Sequence, residues 1–396
     1  MNGTETQLRI PQDPFLSKEF LRMQGPGASS NNGNRVPERY YLFWARNAIY
    51  HSLAAASVRA GDEVLVPAYV CKVVPEAVTA YGARAVFYRV GRDCQPDFRD
   101  LEKKSGERTR ALLTVHYFGF AQPIALLSEF CTHRRLFLIE DCAHVLQSKA
   151  GGRPLGSYGD ASVFSLRKFF PLYDGGKLVL NQKTAILDIE WSHESPLLTL
   201  KIAKDIVDQF AARSLGSLAQ IPYDFVRSIK KPFVRLAKSS ASPGILKVEK
   251  TDATFNRDLV NQPMSRVSRM IFNLSDAPAI AARRKSNYLF LQKELAGIDT
   301  LEFLMRELPA DVCPWVLPLF FKQRTDACAV LRAKGIPATT WDGVRPADLQ
   351  NALFPDADFL YKNLVFLPVH QSLTEQDLQQ IVRAVKEVAS YPGSGL

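Results

Sequence analysis

Two hydrophobic rhythms divide this chain. In "RNAIYHSLAAASVRAG", Ile49, Leu53 and Ala56 fall on one helical face, and Gly61 supplies a stop. Beyond it, short apolar runs alternate with helical patterns. "EVLVPA", "RAVFYRV", "ALLTVHYFG", "LFLIEDCA", "ASVFSL" and "KLVLN" predict strands, while "KVVPEAVTAYG", "DFRDLEKK" and "IALLSEFCTHR" predict helices. Several of these strands are continuous Val/Leu/Ile/Phe runs with no polar alternation. Strands of that kind are covered on both faces, as in a parallel sheet flanked by helices. The pattern therefore predicts an α/β fold.

The rhythm changes from about Trp191 to Lys250, where the chain reads as helical, amphipathic and basic. That stretch is either a solvated face of an inserted helical pair or a surface for a membrane or an acidic partner. "SDAPAIAARRKSNYLFLQKELAG" then predicts a long helix leading to a second domain. That domain holds "PWVLPLFF", "AVLRAKGIPATTW" and a last helix, "TEQDLQQIVRAVKEV". In the last helix Leu378, Ile381, Val382 and Val385 form one core stripe, with Thr374 as cap and Asp377 in the capping-box position. At the other end, "QGPGASSNNGN" reads as flexible linker. The expected organisation is a flexible arm over residues 1–35, a large domain over 36–275 with the basic insert at about 190–265, and a small C-terminal α/β domain over 276–396.

Composition narrows the function only slightly. Of 396 residues, 46% are hydrophobic and 23% charged, which is ordinary for a globular chain of about this size. A net charge of +10 suits nucleic acid, anionic lipid or a phosphorylated substrate equally, so it selects none; no nucleic-acid partner is assigned. The six cysteines form no C-x-x-C pair and no metal-type spacing, so buried free thiols and no metal are expected. The start has no basic and apolar leader pattern, and no apolar run reaches membrane-spanning length, which makes a reducing, cytoplasmic compartment the simplest expectation.

Ligands of open α/β sheets collect outside the carboxyl ends of the strands. There the sequence places Glu140-Asp141-Cys142-Ala143-His144 after one strand, Arg167-Lys168 after the next, and Arg46-Asn47-Ala48 at the start of the first helix. Pyridoxal phosphate (PLP) calls for this combination. Its aldehyde needs a lysine amine for a Schiff base, and that amine needs burial or a neighbouring cation to lower its pKa. Lys168 follows a buried run and has Arg167 beside it. The pyridine nitrogen needs a carboxylate, for which Asp141 is suited. The phosphate needs N–H donors, which a helix start at Asn47 and Ala48 supplies, with the Ser165 hydroxyl adding a bond. His144 is placed to bond the ring hydroxyl. Singly, a strand-end Asp is often a turn or cap residue and a lysine is usually solvated.

The motifs "GDEVLVPAYVCKVVPEAV", "LIEDCAHVLQSKAGGRPLGSYGDASVFSLRK" and "DGGKLVLN" resemble, in order, the DegT/DnrJ/EryC1/StrS family of fold-type-I, PLP-dependent aminotransferases, most of which act on keto-sugars attached to nucleotides. The resemblance implies Asp141 as pyridinium partner, His144 as ring-hydroxyl or substrate contact, Ser165 as phosphate ligand and Lys168 as Schiff-base lysine, with Ala45-Arg46-Asn47-Ala48 at the family's small-Gly-Thr-Ala helix start. It also implies an amino-acid donor, a keto, sugar-like acceptor and a homodimer. Four departures stand out. The Ser165–Lys168 loop is about two residues short, and Leu172-Tyr173-Asp174-Gly175-Gly176 replaces the usual Thr-Gly-Glu-Gly-Gly. The ring-stacking aromatic aligns with Cys71, with Tyr69 as substitute, and "MSRVSRMIFN" stands where the family has Asn-Tyr-Arg. A PLP-dependent dehydratase and a non-catalytic PLP-fold scaffold or regulator are the alternatives; Lys168 favours transamination, since the family's dehydratases carry histidine there.

Overall fold

The computed structural model describes residues 10–17, 20, 38–181, 187–194, 196–214 (backbone only from 209) and 254–390. Its large domain alternates β1 (Glu38–Leu42), α1 (Ala45–Ala55), β2 (Glu63–Pro67), α2 (Val73–Tyr81), β3 (Arg84–Tyr88), α3 (Phe98–Lys104), β4 (Thr109–Val115), α4 (Ile124–Arg134) and β5 (Phe137–Asp141). A two-residue hairpin, β6 (Lys149–Ala150) and β7 (Arg153–Pro154), precedes β8 (Ala161–Ser165) and β9 (Gly176–Leu180). The apolar runs thus become strands and the 3.6-period segments helices, as their patterns predict.

Seven strands form one sheet in the order β1-β9-β8-β5-β4-β2-β3. β2, β3, β4, β5 and β8 are parallel, and β9 runs antiparallel to both of its neighbours. β3 and β4 lie on opposite sides of β2, so the chain leaves the sheet in opposite directions there and opens a crevice at the carboxyl ends. The central strands are buried along nearly their whole length, as continuous apolar runs require.

The described part of the basic insert contains α5 (Pro196–Ser214); residues 215–253 of that segment lie outside the described residues. Next come α6 (Arg266–Leu274), α7 (Ala277–Leu295), β10 (Leu301–Phe303), β11 (Val316–Phe321), α8 (Ala327–Ala333), α9 (Pro355–Asn363), β12 (Val365–Pro368) and α10 (Glu375–Ser390). β10, β11 and β12 make a small antiparallel sheet. The capping box of α10 forms as expected: the Thr374 N–H donates to Asp377 Oδ2 at 2.8 Å and the Asp377 N–H to Thr374 Oγ1 at 3.2 Å. The Leu378, Ile381, Val382 and Val385 stripe is buried. One hydrophobic core runs from the large sheet into this small domain.

The expected flexible arm is corrected where it is described. Ile10 is buried in the main core, the His370 ring donates to the Pro11 carbonyl at 3.0 Å, and the Phe15 N–H donates to Ser372 Oγ at 3.3 Å. Phe20 packs with Phe169 and Phe170. Apolar burial at Ile10 and Phe20 holds these described residues to the body of the protein; the linker-like stretch "QGPGASSNNGN" lies outside the described residues. Among the described residues no helix is long and apolar enough to cross a membrane. All six cysteines are free thiols, four of them buried.

Candidate active site

A cavity of about 260 Å³ opens at the carboxyl ends of β4, β5 and β8. Asp141, Ala143, His144, Ser165, Arg167 and Lys168 line it, with Arg46 and Cys71 on the facing wall. Within the large domain, residues as far apart as Arg46 and Lys168 are thus brought to one place by the parallel topology, at strand or helix ends.

Lys168 sits on a single turn of 3-10 helix, Leu166–Lys168, immediately after β8. Burial brings its amine down from 10.5 to about 8; Asp141 opposes that change and Arg167 reinforces it. The residue keeps partial exposure because its side chain faces the cavity. Its Nζ lies 4.6 Å from the ring centroid of Trp315.

Asp141 ends β5 and is almost fully buried. One carboxylate oxygen accepts the Ala143 N–H at 2.9 Å. Burial raises its pKa, and the Lys168 amine pulls in the opposite direction. His144 is held between aromatic rings: it stacks on Trp315 at 4.1 Å and 7° and lies parallel to Phe118 at 6.0 Å. Its Nδ1 accepts the Phe118 N–H at 3.3 Å, which assigns the proton of the neutral ring to Nε2. Burial and the Lys168 charge hold His144 well below the ordinary histidine range, so it stays neutral.

Glu140, the other acid of the motif, has a different task. It accepts His116 Nε2 at 2.9 Å and the N–H groups of Gly156, Tyr158 and Gly159 at 2.8, 2.7 and 2.6 Å. Burial alone raises its pKa, but these donors outweigh it and the net shift is downward. Asp174, one of the departures from the family pattern, is buried and braces Ser265, the N-cap of α6, by accepting its N–H and hydroxyl at 2.6 and 2.8 Å, together with the Ser268 hydroxyl.

Three sequence-predicted residues stand elsewhere. The N–H groups of Asn47 and Ala48 both donate to the Trp44 carbonyl, at 3.1 and 3.3 Å, because α1 begins at Ala45 and these amides already close its first turn. The Asn47 side chain turns away, donating to Leu259 and Val260 carbonyls. The helix start on the cavity wall is Ala45 and Arg46 instead. Arg46 stacks on Trp44 and donates to the Thr254 carbonyl. Tyr69 is fully buried behind the cavity, packed against Tyr117, Trp341 and Tyr361, so Cys71 rather than Tyr69 faces the ligand space.

Sequence reasoning missed Arg284, Trp315 and Trp341. Trp341 lines the cavity from the small domain. Arg284, fully buried on α7, donates to the carbonyls of Lys168 at 3.0 Å and Trp315 at 3.1 Å and to Gln371 Oε1 at 3.1 Å. The only sequence signal for it is a run of three basic residues on the buried-helix pattern of "AIAARRKSNYLFL".

This topology is that of solved aminotransferases. An aminotransferase, TlmJ, from Streptoalloteichus hindustanus superposes with a TM-score of 0.62 at 21% identity, covering 88% of this chain and 85% of that one. Residues 45–191 match the DegT/DnrJ/EryC1/StrS aminotransferase family. The matched segment, a little over a third of the chain, is the one that carries Asp141 and Lys168. The GDP-perosamine synthase of Vibrio cholerae is 32% identical over 142 residues, 35% of this chain and 39% of that protein. The L-glutamine:scyllo-inosose aminotransferase of Streptomyces griseus is 35% identical over 144 residues, 35% of this chain and 34% of that protein. The chain thus spans less than two fifths of the length of these curated relatives.

Proposed function

We propose that this protein is a PLP-dependent aminotransferase that moves an amino group from an amino-acid donor to a keto, sugar-like acceptor. The carrying observation is the desolvated Lys168 amine electrostatically coupled to buried Asp141 within one cavity. The donor set fits the cofactor: an amine of lowered pKa for its aldehyde, a carboxylate for its ring nitrogen, and a neutral histidine with a donor at Nε2 for its ring hydroxyl. When bound, the cofactor supplies an electron sink for a carbanion. Lys168 holds it covalently and, when released, moves a proton as an amine with a pKa near the working pH. Asp141 would hold the ring nitrogen in its protonated form, a pairing that would offset the cost burial puts on its own charge. The start of α1 at Ala45 and Arg46, with Ser165 and Arg167, meets the phosphate.

The two relatives named above suggest a polyhydroxylated acceptor and glutamine or glutamate as donor. Small-molecule partners, a homodimer and a cytoplasmic site of action complete the reading. Loading the purified protein with PLP and treating it with borohydride tests it: one cofactor mass should attach to the peptide bearing Lys168. Glutamate or glutamine should then change the absorbance of the loaded, unreduced protein. No adduct at Lys168 would overturn PLP chemistry here, and an adduct without a response to any amino donor would overturn transamination.

A further inference from the structure

A larger cavity, about 650 Å³, lies on the other face of the sheet from α1 and shares only Ser165 with the Lys168 pocket. Along β8 the residues alternate, so Ser162 and Phe164 point to this side while Ala161 and Val163 serve the core. Lys177 on β9 pairs laterally with Phe164 and with Tyr41, which fixes its amine over the cavity floor. Its Nζ lies 3.8 Å from the Phe164 ring centroid.

Lys177 has no hydrogen-bond acceptor and no acid partner among the described residues, and no carboxylate lines the cavity. Arg39, two positions from its lateral neighbour Tyr41, is exposed at the cavity mouth and adds a second cation without an acid partner among the described residues. Ser162 Oγ is fully buried there without a hydrogen-bond partner among the described residues. Phe164, Phe170 and Phe272 supply apolar walls. A half-buried amine facing only a ring quadrupole is poorly compensated for the water it has lost. Two cations, an orphan hydroxyl and aromatic walls in one cavity are complementary to a ligand that brings negative charge and an apolar body.

We propose that this cavity is a second ligand site, distinct from the Lys168 pocket, for a small organic anion whose acidic head pairs with Lys177 and Arg39 and whose apolar body lies among Phe164, Phe170 and Phe272. Binding at this site does not depend on the aminotransferase reading. Calorimetric titration of the PLP-saturated protein with 8-anilinonaphthalene-1-sulfonate tests it. One saturable site per chain is expected, weakened about tenfold or more by Lys177→Met, which keeps the apolar stem and removes the charge. Phe272→Asp, on a partly exposed wall, should weaken it similarly by placing an acid against the anion, and it decides the matter if the first variant does not fold. Absence of saturable binding, unchanged affinity in these variants, or competition by free PLP would overturn the proposal.

Discussion

The guanidinium of Arg284 donates to the main-chain carbonyl of Lys168 at 3.0 Å. With its bonds to Trp315 and Gln371, this makes one buried side chain the junction between the turn that carries the amine and the small domain. Gln371 completes the link by donating to the Phe169 carbonyl at 2.8 Å. The short turn after β8 therefore does not set the place of Lys168 alone.

Replacing Arg284 with lysine keeps a charge but cannot reproduce the three-way fork. Burial already lowers the guanidinium to about 10, so an ammonium there is at least as poorly accommodated. Arg284→Lys should lose about 2 kcal/mol or more of unfolding free energy through orphaned carbonyls. Urea denaturation measures this. A stability within experimental error of the parent protein would show that the fork is dispensable.

Glu140 and Asp141 are adjacent in sequence but do different work. Glu140→Ala strips four donors, three of them buried, of their acceptor, and a loss of roughly 3–5 kcal/mol is expected. Glu140→Gln retains one carbonyl oxygen but turns an NH2 group toward donors, and should fall between the two. Thermal unfolding of the three proteins ranks them; an alanine variant more stable than the glutamine variant would contradict the buttress role.

Gly176 lies where β9 presses on the start of α1. A Cβ there would collide with the backbone of Trp44 and come within 2.6 Å of the Ala45 nitrogen. Neither neighbour is a flexible side-chain end. Gly176→Ala should cost about 1–3 kcal/mol or more, and PLP affinity should fall with it, because the displaced backbone belongs to the helix start at the cavity wall. Equilibrium dialysis with PLP separates the two effects; wild-type affinity in a folded variant would place the helix start outside the phosphate site.

What the sequence made legible follows from the range of each interaction. Parallel strands are readable because residues such as those of "LLTV" and "LFLI" carry no polar alternation. The strand-end positions of Asp141, Ser165 and Lys168 follow once the strands are placed. The Thr374–Asp377 box is local and equally readable. The exact start of α1 is less readable: the Asn47 and Ala48 amides prove to donate to the Trp44 carbonyl because the helix begins at Ala45, and no local signal in the sequence marks that boundary. Arg284, Trp315 and Trp341 reach the site from a domain more than a hundred residues further along the chain. Their packing against Lys168, His144 and Tyr69 is tertiary, with no periodicity to announce it. β1 escaped notice because "ERYYL" at the sheet edge lacks a continuous apolar run.

The Lys168 amine should titrate where its surroundings put it. Burial disfavours its charged form and brings it to about 8 from 10.5, while Asp141 favours the charged form. In the cofactor-free protein, acylation of Lys168 by acetic anhydride, followed peptide by peptide, should therefore have its midpoint near pH 8. Surface lysines should not reach theirs until about pH 10.4. The sign of the coupling gives a sharper test. Asp141→Asn removes the anion that raises the amine's pKa, so the midpoint must move down and reactivity at pH 7 must increase. The asparagine carbonyl can still accept the Ala143 N–H, so the strand end keeps its shape. Arg167→Gln removes a cation that lowers the amine's pKa and should move the midpoint up. The same linkage makes the protein gain stability from Lys168 as pH rises from about 8 towards 10.5, because over that window the unfolded chain holds a proton that the folded one has released. An unshifted midpoint near that of surface lysines, or an upward move in Asp141→Asn, would refute the desolvated, Asp141-coupled amine on which the proposed chemistry rests.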